Sequence, residues 1–208
     1  HGQAFDGFLH LSEMTFGAEH PGASELFRGH EVAHEYWGHM VGWASYRDQW
    51  LSEAFAEYSS MMFIEATMQK QRYFLDILKD YGTELTGSGA MVGYARAGMT
   101  QAKVKAGIGP IAVGFRSSTS DLPAGYMIQT YHKGPMVLHM LRVMLRNASG
   151  SEALFRRVLQ GFLKSYTGRA ARTDDFRKVV EEVAGGDWGW FFDEWVYGTA
   201  IPTYTWSY

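Results

Sequence analysis

Cysteine is absent from all 208 residues. That excludes disulfides and any thiolate-held metal, so metal chemistry here would fall to histidine and carboxylate. It leaves the compartment open. An excess of basic charge is also lacking: 19 Lys and Arg stand against 22 Asp and Glu, for a net charge of −3 and a pI near 6.2. Such a balance gives no electrostatic case for nucleic acid or for an anionic membrane. No apolar run approaches the roughly 18–20 residues that a membrane span needs. The nearest, Pro135 to Leu145, carries His139 and Arg142. Heptads, solenoid repeats and phosphate-loop patterns are missing as well. His1 opens the chain with no initiator Met and no leader-like stretch, so a segment of a longer protein is expected. What is present suits one ordinary domain over residues 1–208, since 46% hydrophobic and 15% aromatic residues can build a core.

The most informative stretch is His30-Glu31-Val32-Ala33-His34. Two histidines four apart in a helix share one face, one turn from each other, and can reach a single ion. Imidazole is a natural zinc ligand, and a catalytic zinc takes three protein ligands with a fourth position for water. Glu31, beside the first ligand, can point into the same site and take a proton from that water. Glu53 follows His34 by nineteen positions, inside Trp50-Leu51-Ser52-Glu53-Ala54-Phe55-Ala56-Glu57. Asp48 and Ser52 both suit a helix start, which puts Glu53 in the first turns of a second helix. An antiparallel return of that helix would bring its carboxylate over the two histidines as the third ligand. Glu57, one turn on, could accept the free ring N–H of a ligand histidine and fix its tautomer.

These words resemble the gluzincin metallopeptidases, and within them the alanyl-aminopeptidase family that includes leukotriene A4 hydrolase. Family members read roughly His-Glu-x-x-His-x-Trp-Phe-Gly-Asn and then Trp-Leu-Asn-Glu-Gly-Phe-Ala. Here the text is His30-Glu31-Val32-Ala33-His34-Glu35-Tyr36-Trp37-Gly38-His39 and then Trp50-Leu51-Ser52-Glu53-Ala54-Phe55-Ala56. The resemblance implies a mainly α fold: the helical lobe of a thermolysin-like catalytic domain, with a short β-strand remnant at its N-terminus. It implies Zn2+ as cofactor and a peptide as substrate, cleaved as an aminopeptidase would cleave it. It further implies a β domain ahead of this stretch in the parent chain, with a C-terminal domain after it as an option. An endopeptidase, another zinc hydrolase on the same site, and a non-catalytic interaction domain that keeps the fold remain open alternatives.

Two further residues take their roles from the resemblance. Aligned without a gap, Gln3-Ala4-Phe5-Asp6-Gly7-Phe8 falls on the family's Gly-Ala-Met-Glu-Asn strand. Asp6 then takes the place of the glutamate that binds the substrate's free amine, although Asp6-Gly7 also reads as a turn. Tyr131-His132-Lys133-Gly134 matches a Tyr-x-Lys-Gly word whose tyrosine stabilises the oxyanion, which assigns that role to Tyr131.

Elsewhere the pattern predicts a strand within Ala4–Leu11 and a metal-bearing helix from about Glu25 to Met40. Further helices are expected at Gln49–Met68, Lys70–Asp80, Met136–Leu145, Glu152–Tyr166 and Asp174–Val183. A short aromatic helix should run from Asp187 through Trp195, followed by an exiting strand over Gly198–Tyr208. Residues 82–114, with eight glycines, read as mixed short helices and loops.

Overall fold

The computed structural model describes residues 2–16, 23–67, 71–86, 109–120 and 122–199. The fold is mainly helical, as the periodicity predicts, with only short strands among the described residues. β1 (Gly2–Phe5) and β2 (Phe8–Leu11) form an antiparallel hairpin, with Phe5 opposite Phe8. The single strand expected over Ala4–Leu11 is therefore broken at Asp6-Gly7. Gly7 adopts φ +71, a left-handed conformation that closes a two-residue turn.

Helix α1 (Ala23–Ala33) packs along α2 (Trp50–Thr67), and α3 (Gln71–Thr86) follows. α1 is shorter than the span to Met40 that the sequence predicts. His34 still donates its N–H to the His30 carbonyl, but His39, Met40 and Val41 bond five residues back and the regular helix is lost. Gly38, at φ +130, turns the chain into β3 (Val41–Trp43), and a β-carbon there would meet Ser52 Oγ. β3 pairs in parallel with β4 (Arg169–Ala171), which arrives from far along the sequence.

α2 is the central element. Eleven of its residues are buried, on more than one side, as expected of a helix enclosed by neighbours. Trp50 and Phe55 sit in an aromatic core with Trp37, Phe162 and Phe176, with ring centroids 4.9–6.3 Å apart. α4 (Gly134–Ser149) crosses α2, preceded by a π-helical segment, Met127–Lys133. α5 (Ala153–Tyr166), α6 (Thr173–Ala184) and α7 (Gly189–Phe192) complete the frame, and a second π-helical segment, Asp193–Tyr197, ends it. Asp48 does not cap α2. Its carboxylate accepts from the Thr173 N–H at 2.8 Å and from Ser45 Oγ at 2.7 Å, so it holds the start of α6. Of the exiting strand predicted for Gly198–Tyr208, only residues 198–199 are described and they are not in a strand; the rest, and most of the glycine-rich stretch, lie outside the described residues. No described helix is long and apolar enough to cross a membrane.

Candidate metal centre

The side chains of His30, in the last turn of α1, and His34, one residue past its end, face α2, and Glu53 answers from the first turn of α2. His30 Nε2 lies 3.0 Å from His34 Nε2, and Glu53 Oε2 lies 3.3 and 3.2 Å from the two nitrogens. Bonds of about 2.0–2.1 Å at tetrahedral angles would set neighbouring ligand atoms roughly 3.3 Å apart, so this triangle has the dimensions of one zinc face. Among the described residues this trio alone brings three potential ligand atoms so close together. The donor set also fits: two imidazoles and a carboxylate suit zinc, and none of the three needs a thiolate.

The outer nitrogens of both rings are committed elsewhere, which leaves the Nε2 atoms to face the ion. His30 Nδ1 bonds Glu57 Oε2 at 2.7 Å, and the other Glu57 oxygen accepts from the Tyr81 hydroxyl. His34 Nδ1 donates to the Trp37 carbonyl at 2.9 Å, and Ser52 Oγ donates to that same carbonyl at 2.8 Å. The loop that follows α1 thus supplies one orienting group and α2 the other.

The charges demand a cation. Burial lowers the basicity of His30, but hydrogen bonds to Glu53 and Glu57 and their negative charges outweigh it and push its pKa up to about 10. Burial raises Glu53, but its bonds to both histidines override that and hold it well below the usual carboxylate range.

Glu31 is buried beside the first histidine. Strand β1 passes directly over it: a β-carbon at Gly2 would overlap Glu31 Oε1 and Phe27 Cζ. Gly2 is a position that sequence reasoning missed, although a glycine opening a strand is the usual mark of close backbone approach. Tyr131 comes from the π-helical segment, a distortion that often re-aims a functional side chain. Its ring stacks on His30 with centroids 5.6 Å apart and 21° between planes, and its hydroxyl is turned to Glu53. Burial, followed by the Glu53 charge, raises its pKa well above the ordinary phenol value, so it stays a proton donor. Tyr126 stands edge-on to it at 5.6 Å.

The structure thus brings together His30, Glu31, His34, Glu53, Glu57 and Tyr131. Asp6 is not with them. It stands exposed in the hairpin turn, beside a surface depression shared with Glu35, Tyr36, His39 and Met40, and makes no ion pair or hydrogen bond to the trio among the described residues. The turn-forming preference of Asp-Gly decides its place.

A helical lobe that sets two histidines and a glutamate around one point, with a buried acid alongside, defines the zinc metallopeptidase class. The chain matches the Peptidase family M1 domain over residues 25–195 and belongs to that family. It is 27% identical over 173 residues to aminopeptidase A of Gloydius brevicauda, and 28% identical over 177 residues to aminopeptidase M1-B of Oryza sativa subsp. japonica. Those matches cover 83% and 85% of this chain but only 16% and 18% of the two relatives, so it spans about a sixth of their length. Among solved structures, an M1 zinc metallopeptidase of Deinococcus radiodurans bound to a Tyr-Ser-Ala substrate has the same fold. It aligns with a TM-score of 0.66 at 22% identity, over 97% of this chain and 38% of that one. Yeast LTA4 hydrolase aligns with a TM-score of 0.63 at 17% identity, over 88% of this chain and 27% of its own. Zinc is the family's metal.

Proposed function

We propose that residues 1–208 form the helical part of a single catalytic domain within a longer protein, a zinc-dependent peptide hydrolase that releases N-terminal residues. The observation that carries the reading is the triangle of His30 Nε2, His34 Nε2 and Glu53 Oε2, with the Glu31 carboxylate buried beside it. These three residues would hold the metal. Zinc bound there supplies Lewis acidity, which polarises a carbonyl and makes water easier to deprotonate.

The remaining work belongs to the chain. Glu31 takes a proton from the attacking water and returns it to the departing nitrogen. The Tyr131 hydroxyl, held in its protonated form, donates to the oxygen that gains charge as the carbonyl is attacked. Glu57 and the Trp37 carbonyl keep the two rings in the tautomer that presents Nε2. The aminopeptidase names of the relatives support removal of N-terminal residues. Asp6 does not support it from its exposed turn, so amine recognition by Asp6 would need the hairpin tip to meet the substrate.

The test uses the full parent protein. Glu31→Gln should retain zinc and lose roughly 10²–10⁴ in turnover of aminoacyl amides, since it removes the base and no ligand. N-acetylated versions of the same substrates should be poor for the unmodified enzyme. Undiminished turnover in Glu31→Gln would end the mechanism, and equal cleavage of blocked and free peptides would end the aminopeptidase assignment while sparing the zinc hydrolase.

A further inference from the structure

The bond from Tyr81 to Glu57 reaches beyond the groups that the reaction itself needs. Glu57 has two oxygens. One holds His30 Nδ1 at 2.7 Å, and the other accepts the Tyr81 hydroxyl. A carboxylate with only one of these bonds could rotate about its last side-chain torsion, which is broad and weakly restrained. With both bonds made, its plane is fixed, and so is the imidazole on the far side.

Tyr81 is itself held. Its ring stacks on His132 with centroids 4.5 Å apart and 22° between planes. His132 Nδ1 lies 2.6 Å from Glu84 Oε2, and Glu84 stands one turn beyond Tyr81 on α3. His132 also neighbours Tyr131, whose ring lies on His30. These contacts, with the backbone link between His132 and Tyr131, run from His30 through Glu57, Tyr81, His132 and Tyr131 back to His30. They join α1, α2, α3 and the π-helical segment.

We infer that Tyr81 is a positioning residue of the metal centre, acting through Glu57 to hold His30 in its metal-binding orientation, with His132 and Glu84 fixing the Tyr81 ring. This rests on the zinc reading of the site. α3 then contributes to metal affinity although it offers no ligand. The inference concerns retention of the ion rather than the chemical step.

Zinc dissociation constants should be measured in the parent protein by competition with a chelator, for the unmodified chain, Tyr81→Phe, Glu57→Gln and the double variant. Tyr81→Phe removes one oxygen and keeps the ring on His132. It should weaken zinc by about tenfold, the lower end of the usual cost of an outer-shell partner. In the Glu57→Gln background the same change should add no more than about twofold, because its route to His30 is already cut. The metal-free melting temperature of Tyr81→Phe should stay at the unmodified value. Unchanged zinc affinity overturns the inference. So does a full tenfold loss reappearing in the double variant, or a fall in metal-free melting temperature that accounts for the weakening. An unmodified protein that binds no zinc would fail the functional reading itself, and this inference with it.

Discussion

At the scale of single residues, the centre behaves as a competition between a proton and a metal for His30. The ring's pKa of about 10 in the metal-free fold lies above its unfolded value near 6.5. Protonated His30 therefore contributes stability that is fully present below about pH 6.5 and is lost as pH rises through 10. Zinc must displace that proton. We predict that apparent zinc affinity rises about tenfold per pH unit between pH 7 and 9. Chelator competition at three pH values would check this, and a flat profile would contradict it. Tyr131 is the second residue with a separable effect. It stacks on His30 without being a ligand, so Tyr131→Phe should keep zinc and fold while lowering kcat by roughly 10²–10³ through loss of an oxyanion donor. Wild-type kcat in a zinc-loaded Tyr131→Phe enzyme would remove the tyrosine from the mechanism.

How far these residues were legible depends on what each has to satisfy. Metal ligands are of a few types, and two on one helix must share a face, so His30 and His34 stood out by spacing with Glu31 between them as the candidate base, while Glu53 took its place from the residues around it and the family resemblance. Glu57 followed from the next turn. Tyr81 left no such trace: it is 24 positions from Glu57, and any donor on α3 could have served. Asp6 took its role from the ungapped match to the family's strand while Asp6-Gly7 also read as a turn, and the hairpin places it in that turn.

At the scale of elements, the glycine of the Tyr-x-Lys-Gly word acquires a physical reason. Gly134 begins α4 where it touches α2, and a β-carbon there would overlap the Ala54 β-carbon, one residue past Glu53. Two helices approach at this point because neither side chain extends beyond a methyl group. We predict that Gly134→Ala destabilises the protein by about 1–3 kcal/mol, the usual cost of overpacking, and weakens zinc as Glu53 is pushed with its helix. Urea unfolding of the zinc-free and zinc-loaded forms would measure both, and a stable variant with normal zinc affinity would show that the contact relaxes freely. Helix bodies were readable from their apolar period, whereas their ends were not. α1 stops at Ala33 because the chain must turn at Gly38 toward a strand partner more than a hundred residues away, and no local preference announces that.

At the scale of the whole molecule, the ligand-bearing helices and the frame that encloses them come from different distances along the chain. The frame closes when the start of α6 meets the start of α2: Trp50 Nε1 donates to Thr173 Oγ1 at 2.9 Å, and Asp48 receives Thr173 across 125 positions. Nothing in either segment's composition marks the other as its partner, so this closure was invisible to pattern reading.

That difference in distance becomes an order in time. The three proposed ligands span residues 30 to 53, while the Trp50–Thr173 bond spans 123 positions, and closing the longer loop costs about 1.5 kcal/mol more chain entropy. The helical pair proposed to carry the ion is also made of local contacts, which form early. During refolding, then, zinc should be captured before the aromatic core around Trp50 sets. A stopped-flow experiment that follows a zinc indicator and tryptophan fluorescence together should show the indicator signal leading. Simultaneous signals would mean that the ion waits for the whole fold. If zinc arrives first, the ion is a participant in assembly as well as in the finished site, and protein refolded without it would have to build its central helix pair around two carboxylates and a borrowed proton.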